Sequence, residues 1–300
     1  MNFDTSSFRS GFVALVGKPN VGKSTLMNAL LGEKVAIVSP RPQTTRLPLR
    51  GILNRPTSQI VFVDTPGIHK PRHELGQVMV KLARRIIPES DVVCMMVDLS
   101  QAPTSLDARI AEELQNVKVP RLLLLNKLDV RPKKGPHQAA YQALGSWDME
   151  IALSAHTGDG LPSLLEELEN RLPQGTPLYP EDWIVDQNMQ FLASEIVREK
   201  VLLLTQHEVP HAVAVEVDEW QEREETTYIR MTINVEKESQ KGILIGAQGS
   251  MLKQIGSAAR VEIEKMVDGP VYLDLWVKVR AGWRDNPSSL GWLGYRVKDF

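Results

Sequence analysis

Eight residues, Gly17-Lys-Pro-Asn-Val-Gly-Lys-Ser24, constrain this chain more than any others. They fit the pattern G-x-x-x-x-G-K-S and sit in the context it needs. Phe12 to Val16 reads as a buried parallel strand, and Thr25 to Leu31 continues as an apolar helical stripe closed by Gly32. Gly17 and Gly22 let the backbone turn so that amide groups face phosphate oxygens, and the helix starting near Lys23 adds its positive end. The expected phosphate cradle is therefore Gly17, Lys18, Pro19, Asn20, Val21, Gly22, Lys23, Ser24 and Thr25. Lys23 is expected to reach the β and γ phosphates as a catalytic charge, and the Ser24 hydroxyl to ligate Mg2+.

A chain of 300 residues is too long for one ordinary core and suits two domains. Its net charge of −2 gives no global pull on nucleic acid, so any such binding must come from a local patch. The single cysteine, Cys94, lies inside the apolar run Val92 to Val97. It allows no internal disulfide, which favours a reducing, cytoplasmic setting and a buried thiol without a catalytic role. No run approaches ~20 apolar residues, and Met1 to Ser10 has no signal-peptide hydrophobic region, so neither a membrane span nor an export signal is expected.

Residues 1–172 alternate apolar runs of strand length with amphipathic stretches of helix length, the pattern of an α/β domain with a mostly parallel sheet covered on both faces. Strands are expected at Phe12–Val16, Leu49–Leu53, Ile60–Val63, Val92–Val97, Leu122–Leu125 and Ile151–Leu153. The second and third are too close for a helical crossover and should pair antiparallel at one edge. Helices are expected near Leu75–Ile87, Leu106–Asn116 with Ser105 as cap, Gln138–Leu144 and Leu161–Arg171. Three prolines between Pro173 and Pro180 mark residues 173–186 as a semi-rigid linker. Residues 187–300 then read as a small α+β unit: a helix near Asn188–Gln206, strands near Ala212–Asp218 and Thr227–Glu236, two helices, a strand at Val271–Val279 and a tail.

Asp64-Thr65-Pro66-Gly67 ends the third strand, where ligands gather in open α/β sheets. Asp64 can hold Mg2+ through water there, and Gly67 can offer its N–H to the γ phosphate. Asn126-Lys127-Leu128-Asp129 follows another buried run. The Asp129 carboxylate can accept both guanine N–H groups, which adenine lacks, so GTP is favoured over ATP. Asn126 can tie the base loop to the phosphate loop, and the Lys127 stem can cover the base. In Ser154-Ala155-His156, the Ala155 N–H is placed to serve guanine O6, while His156 reads as an exposed loop residue. The loop Ser39-Pro-Arg-Pro-Gln-Thr-Thr-Arg46 can close over the metal through one threonine hydroxyl, Thr45 ahead of Thr44, with Thr45 and Gly67 counted with Lys23 in the catalytic set. Many small GTPases carry a water-orienting Gln after the D-x-x-G glycine; here Ile68 stands there, so isolated turnover should be slow and should need another group, a partner or a bound K+ near Asn20.

In the second unit, Gly246-Ala247-Gln248-Gly249 forms a G-x-x-G loop between two helical segments, with Ile243, Ile245 and Ile255 as an apolar floor. The element order resembles the prokaryotic type of KH module. Without a basic residue in the loop, phosphate attraction falls to Lys241, Lys253, Arg260, Lys278 and Arg280. The acidic residues Glu216, Asp218, Glu219, Glu222, Glu224 and Glu225 mark a solvated face turned away from RNA. Trp283 and Trp292 can stack on bases, with packing into the tail as the other reading of Trp283, whereas Trp276 suits the core.

Together with Glu195-Ile-Val-Arg-Glu-Lys200, Leu275-Trp-Val-Lys-Val279, Gly282-Trp283 and Leu293-Gly-Tyr295, these motifs resemble the Era family of bacterial GTPases over nearly the full length. His156 stands where that family usually has Glu or Lys. The resemblance implies a phosphate-loop GTPase domain followed by a type II KH domain. It also implies a GTP/GDP switch that binds the 3′ end of 16S ribosomal RNA, assists 30S subunit maturation, and can associate peripherally with the inner membrane. A monomer is expected.

Overall fold

In the computed structural model, residues 8–130 and 137–297 are described. Residues 1–7, used in the export-signal reading, lie outside the described residues, as do 131–136 and 298–300, the end of the expected tail.

The first unit contains β1 (Arg9–Val16), α1 (Lys23–Leu31), β2 (Leu49–Asn54), β3 (Ser58–Asp64), α2 (Glu74–Ile86), β4 (Val92–Asp98), α3 (Ser105–Gln115), β5 (Arg121–Asn126), α4 (Gln138–Gln142), β6 (Met149–Ala152) and α5 (Leu161–Arg171). Six strands form one sheet in the order β2-β3-β1-β4-β5-β6. β2 and β3 pair antiparallel, as their short connection requires, and the remaining neighbours are parallel. β4 reads as an unbroken apolar run because both its faces are covered. Val92, Cys94 and Met96 face the core that also holds Leu26 of α1 and Leu164 of α5, while Val93, Met95 and Val97 face the core with Ala83 of α2 and Ile110 of α3. The cap of α3 is Thr104 instead of Ser105: the Asp107 carboxylate accepts from the Thr104 N–H and hydroxyl, both at 2.7 Å.

Residues 173–186 do not hang as a free spacer. Ser10 N–H donates to Pro173 O (3.1 Å), the Gln59 side chain accepts from Leu178 and Tyr179, and Ile52 N–H donates to Ile184 O (2.8 Å). The segment thus covers the outer edge of β2, which would otherwise present unpaired backbone groups.

The second unit comprises α6 (Met189–Leu204), β7 (Ala214–Glu222), β8 (Thr227–Val235), α7 (Glu238–Ile245), α8 (Ser250–Val267), β9 (Val271–Val279) and α9 (Pro287–Trp292). Its sheet has the order β7-β8-β9, antiparallel then parallel. β7 begins two residues later than expected, because Val209–His211 forms a 3-10 turn before it. Alternation puts Ile229, Met231, Ile233 and Val235 against Val197 and Val201 of α6 and Ile255, Ala259 and Ile263 of α8. Trp276, expected in the core, falls on the other side of the β9 pleat and is 60% exposed. No helix among the described residues is long and apolar enough to cross a membrane.

Candidate functional site

β1 lies between β3 and β4, so the loop after Val16 opens at the carboxyl ends of the parallel strands. Gly22 adopts φ 106°, and a Cβ there would meet Asn126 Nδ2 at 2.4 Å. Only glycine lets Asn126 pass beneath the loop, where Nδ2 donates to Val21 O at 2.7 Å. Val21 itself is buried in the core. Lys23 opens α1, and its buried Nζ donates to Lys18 O (3.0 Å) and Gly17 O (3.4 Å). Burial pushes its pKa down to about 8, with Asp64 partly offsetting that. A buried ammonium bonded to carbonyls is a cation that polyphosphate would stabilise. The Lys18 side chain instead turns away to an ion pair with Asp107 (2.6 Å), so from this residue the cradle has the backbone alone.

A cleft of ≈ 460 Å³ runs from Pro19, Ser24 and Thr25 to Lys127, roofed by Ile37–Pro40 and Gln43–Thr45. At its inner end Ser24 Oγ donates to Asp64 Oδ2 (2.6 Å), and Thr45 Oγ1 lies 2.9 Å from Ser24 Oγ and 3.0 Å from the same carboxylate oxygen. Asp64 Oδ1 is buried without a hydrogen bond. Burial raises the Asp64 pKa against the opposing charge of Lys23. Two hydroxyls and a partly unsatisfied buried carboxylate fit a hard, oxygen-seeking divalent ion such as Mg2+. Of the two threonines, Thr45 is the one brought here; Thr44 Oγ1 bonds Ser39 Oγ and Arg41 O within its own loop.

Gly67 packs so closely on the phosphate loop that a Cβ would meet Pro19 N at 2.7 Å. Thr65 faces the sheet through a bond to Leu15 O, and Pro66 is buried beside it. Ile68 is 3% exposed within a core cluster, where it can orient no water. Asn20 Nδ2 donates to Pro40 O at 2.8 Å, tying the two loops together.

At the base end, Lys127 stretches to Asp98 (2.7 Å), and Asp129 Oδ1 accepts from Ser154 Oγ at 2.6 Å. The Ala155 N–H, expected to face guanine O6, donates to Asn126 Oδ1 at 2.9 Å. Asn126 therefore joins three loops at once, and that is the reason for the difference. His156 is exposed.

In the second unit, the Gly246–Gly249 loop joins α7 to α8 through a 3-10 turn with Gln248 at φ 51°. An adjoining cleft of ≈ 410 Å³ is lined by Gly249, Leu252, Lys253, Gly256, Ser257, Arg260, Leu273 and Leu275. Ile245 and Lys241 lie on α7 outside this lining, while Ala247 and Gln248 project at the exposed tip. Leu252, Gly256 and Ser257 were missed by the sequence reading, although helical spacing from Gly249 points to them. Lys278 is misplaced in it, since pleat alternation turns Lys278 to the sheet face opposite Leu273 and Leu275. Arg280 stacks over Trp292 at 3.7 Å. Trp283 cannot stack on bases here: it is fully buried, donates Nε1–H to Ala212 O (2.8 Å), and packs on Tyr295, Leu75 and Met79.

The two units meet through the loop that carries Thr45. Arg46 is buried over the Trp283 ring and donates to Val213 O and His211 O. Arg198 of α6 donates to Thr44 O, Arg41 donates to Thr205 O, and Glu199 accepts from Val38 N–H. No local pattern announces these arginine contacts, whose partners stand 154 or more residues away in the chain.

Comparisons with known proteins agree with this layout. A family model described as 50S ribosome-binding GTPase matches residues 12–127, and a KH domain model matches residues 208–284. The GTPase Era of Nostoc sp. is 49% identical over 97% of this chain and 91% of its own length. That of Geobacter metallireducens is 47% identical over 96% and 98%. Among solved structures, Era in complex with MgGDPNP and nucleotides 1506–1542 of 16S ribosomal RNA superposes with a TM-score of 0.89 at 39% identity, covering 96% of this chain and 99% of that one. A variant of Aquifex aeolicus Era bound to GDP·AlF4− gives 0.88 at 40% identity, with the same coverage.

Proposed function

The chain belongs to the Era family of GTPases, and from that premise we propose that it is a GTP-driven switch whose KH unit binds 16S ribosomal RNA near its 3′ end and assists 30S subunit assembly. The observation that carries the reading is the convergence of Lys23, Ser24, Thr45 and Asp64 on one cleft. Mg2+ held there by Ser24, Thr45 and Asp64 would neutralise charge between the β and γ phosphates. Lys23 binds those phosphates, the Gly67 backbone meets the γ phosphate, and Asp129 selects guanine. Loss of the γ phosphate removes the contact that holds Thr45 and Gly67 inward, which frees the loops that touch the second unit.

RNA is held along the Gly246–Gly249 loop and the cleft beside α8, where Lys253 and Arg260 supply positive charge. K+ near Asn20 takes part in compensating for the missing glutamine; equal turnover in potassium and sodium would remove this part. The protein works as a monomer in the cytoplasm with peripheral association at the inner membrane, a reading supported by the family resemblance.

The experiment is to crosslink the protein to total cellular RNA with a non-hydrolysable GTP analogue or with GDP and to identify the fragments. Enrichment of the 16S 3′ end, stronger in one nucleotide state, is the expected result. Dispersed fragments indifferent to nucleotide would refute the switch.

A further inference from the structure

We propose that Arg198, a side chain of the RNA-binding unit, is a positioning residue for GTP hydrolysis: it holds the Thr44 carbonyl and so sets Thr45 Oγ1 at the Ser24–Asp64 cation site. The proposal rests on the reading of that cleft as a GTP and Mg2+ site.

Arg198 sits within α6 and is 1% exposed. Its Nη2 donates to Thr44 O at 2.5 Å. The Glu195 carboxylate, one helical turn earlier, accepts from Nε (2.6 Å) and from Nη2, which fixes the plane of the guanidinium. The Thr44 side chain is folded back on Ser39 and Arg41. The peptide between Thr44 and Thr45 is therefore held from both ends, its carbonyl by Arg198 and the next hydroxyl by Ser24 and Asp64. Because a peptide unit is planar, fixing that carbonyl fixes the direction in which Thr45 leaves it. Adhesion between the two units would be served as well by an apolar side chain, without the desolvation cost of a buried guanidinium. A buried cation aimed at the main-chain carbonyl one residue before a metal ligand specifies a position. Closure of this loop over GTP thus depends on the second unit being seated, whereas GDP, held by Lys23 and the base loops, needs no Thr45.

The test measures GTP turnover of the full chain across Mg2+ concentrations, with GDP affinity and thermal unfolding in parallel. Arg198→Met is expected to lower kcat about tenfold, the scale of one lost charge-assisted hydrogen bond, and to raise the Mg2+ needed for half-maximal rate, with GDP affinity unchanged. Arg198→Lys restores part of the rate, since an ammonium can still donate to the carbonyl. Glu195→Gln shifts kcat and Mg2+ dependence in the same direction by less, and it serves if the Met variant does not fold. In a Thr45→Ala background, Arg198→Met has little further effect, because both changes remove the same ligand. Unchanged kcat and Mg2+ dependence in Arg198→Met, or in Glu195→Gln where the Met variant does not fold, or losses fully additive with Thr45→Ala, would overturn the proposal. So would a fall in GDP affinity and thermal stability in proportion to kcat. A wild-type chain without GTP turnover would remove the reading of the cleft, and the role of Arg198 with it.

Discussion

Nucleotide binding should take up a proton at alkaline pH, and Lys23 sets how much. In the free protein its ammonium is buried among carbonyls and titrates at about 8 instead of 10.5, a difference equivalent to about 3 kcal/mol. Bound phosphates supply the opposite charge and return it to the ordinary lysine range or above. Between those two values the free protein has lost a proton that the complex keeps. At about pH 8.5 about three quarters of the free protein lacks this proton, so GDP binding should take up about 0.75 proton per site, against about 0.1 at pH ~7. From the same linkage, affinity at pH ~9 should be about tenfold weaker than at pH ~7. Titration calorimetry in buffers of different ionisation enthalpy reads the uptake directly at pH ~8.5, where the phosphates of GDP no longer titrate. Uptake near zero at pH ~8.5 would refute the assignment of a phosphate-facing, desolvated Lys23. The stability of the free protein moves oppositely. The cost of the buried charge is fully present below pH ~8 and is relieved as pH rises from there toward 10.5.

Asp129→Asn should weaken guanine nucleotides about 100-fold and improve binding of xanthine nucleotides, because an amide donates where xanthine presents an oxygen; competition binding measures the ratio. Gly249→Asp should leave GTP turnover intact and weaken RNA binding about tenfold or more in filter binding. Gly249 is at φ 80°, and a Cβ there would meet no atom within 4 Å, so the local cost is about 1 to 2 kcal/mol of backbone strain while a carboxylate enters the cleft beside Lys253. Trp283→Ala should cost about 3 to 5 kcal/mol in denaturant unfolding, whereas Trp276→Ala should stay within about 0.5 kcal/mol, in line with the opposite burial of the two indoles.

The α/β pattern, the six strands and their antiparallel edge pair were legible because each is written in a run of contiguous residues. Gly17–Ser24, Asp64–Gly67 and Asn126–Asp129 are legible for a related reason: a phosphate or base loop is built from neighbouring amides and one or two side chains, so its chemistry is local. Readings that went astray depended on a side chain's partner elsewhere. Trp276 sits between Leu275 and Val277, and Trp283 between Gly282 and Arg284, yet pleat alternation sends the first to solvent and the tail folds the second against α2. The Ala155 N–H was available to guanine until packing brought Asn126 within 2.9 Å of it.

By itself the sequence determined the phosphate loop, the preference for guanine, the class of both units and the family. Spacing and side-chain type suffice for those, since backbone geometry follows from glycines and hydrophobic period. Tertiary structure alone decided that Thr45 and not Thr44 meets Ser24 and Asp64, that the proline-rich segment seals the edge of β2, and that the loop around Thr45 is gripped by Arg198, Glu199 and Trp283's neighbour Arg46. Those facts are contacts between residues as far as 237 positions apart, Arg46 to Trp283, and no window of sequence contains the two surfaces that must meet.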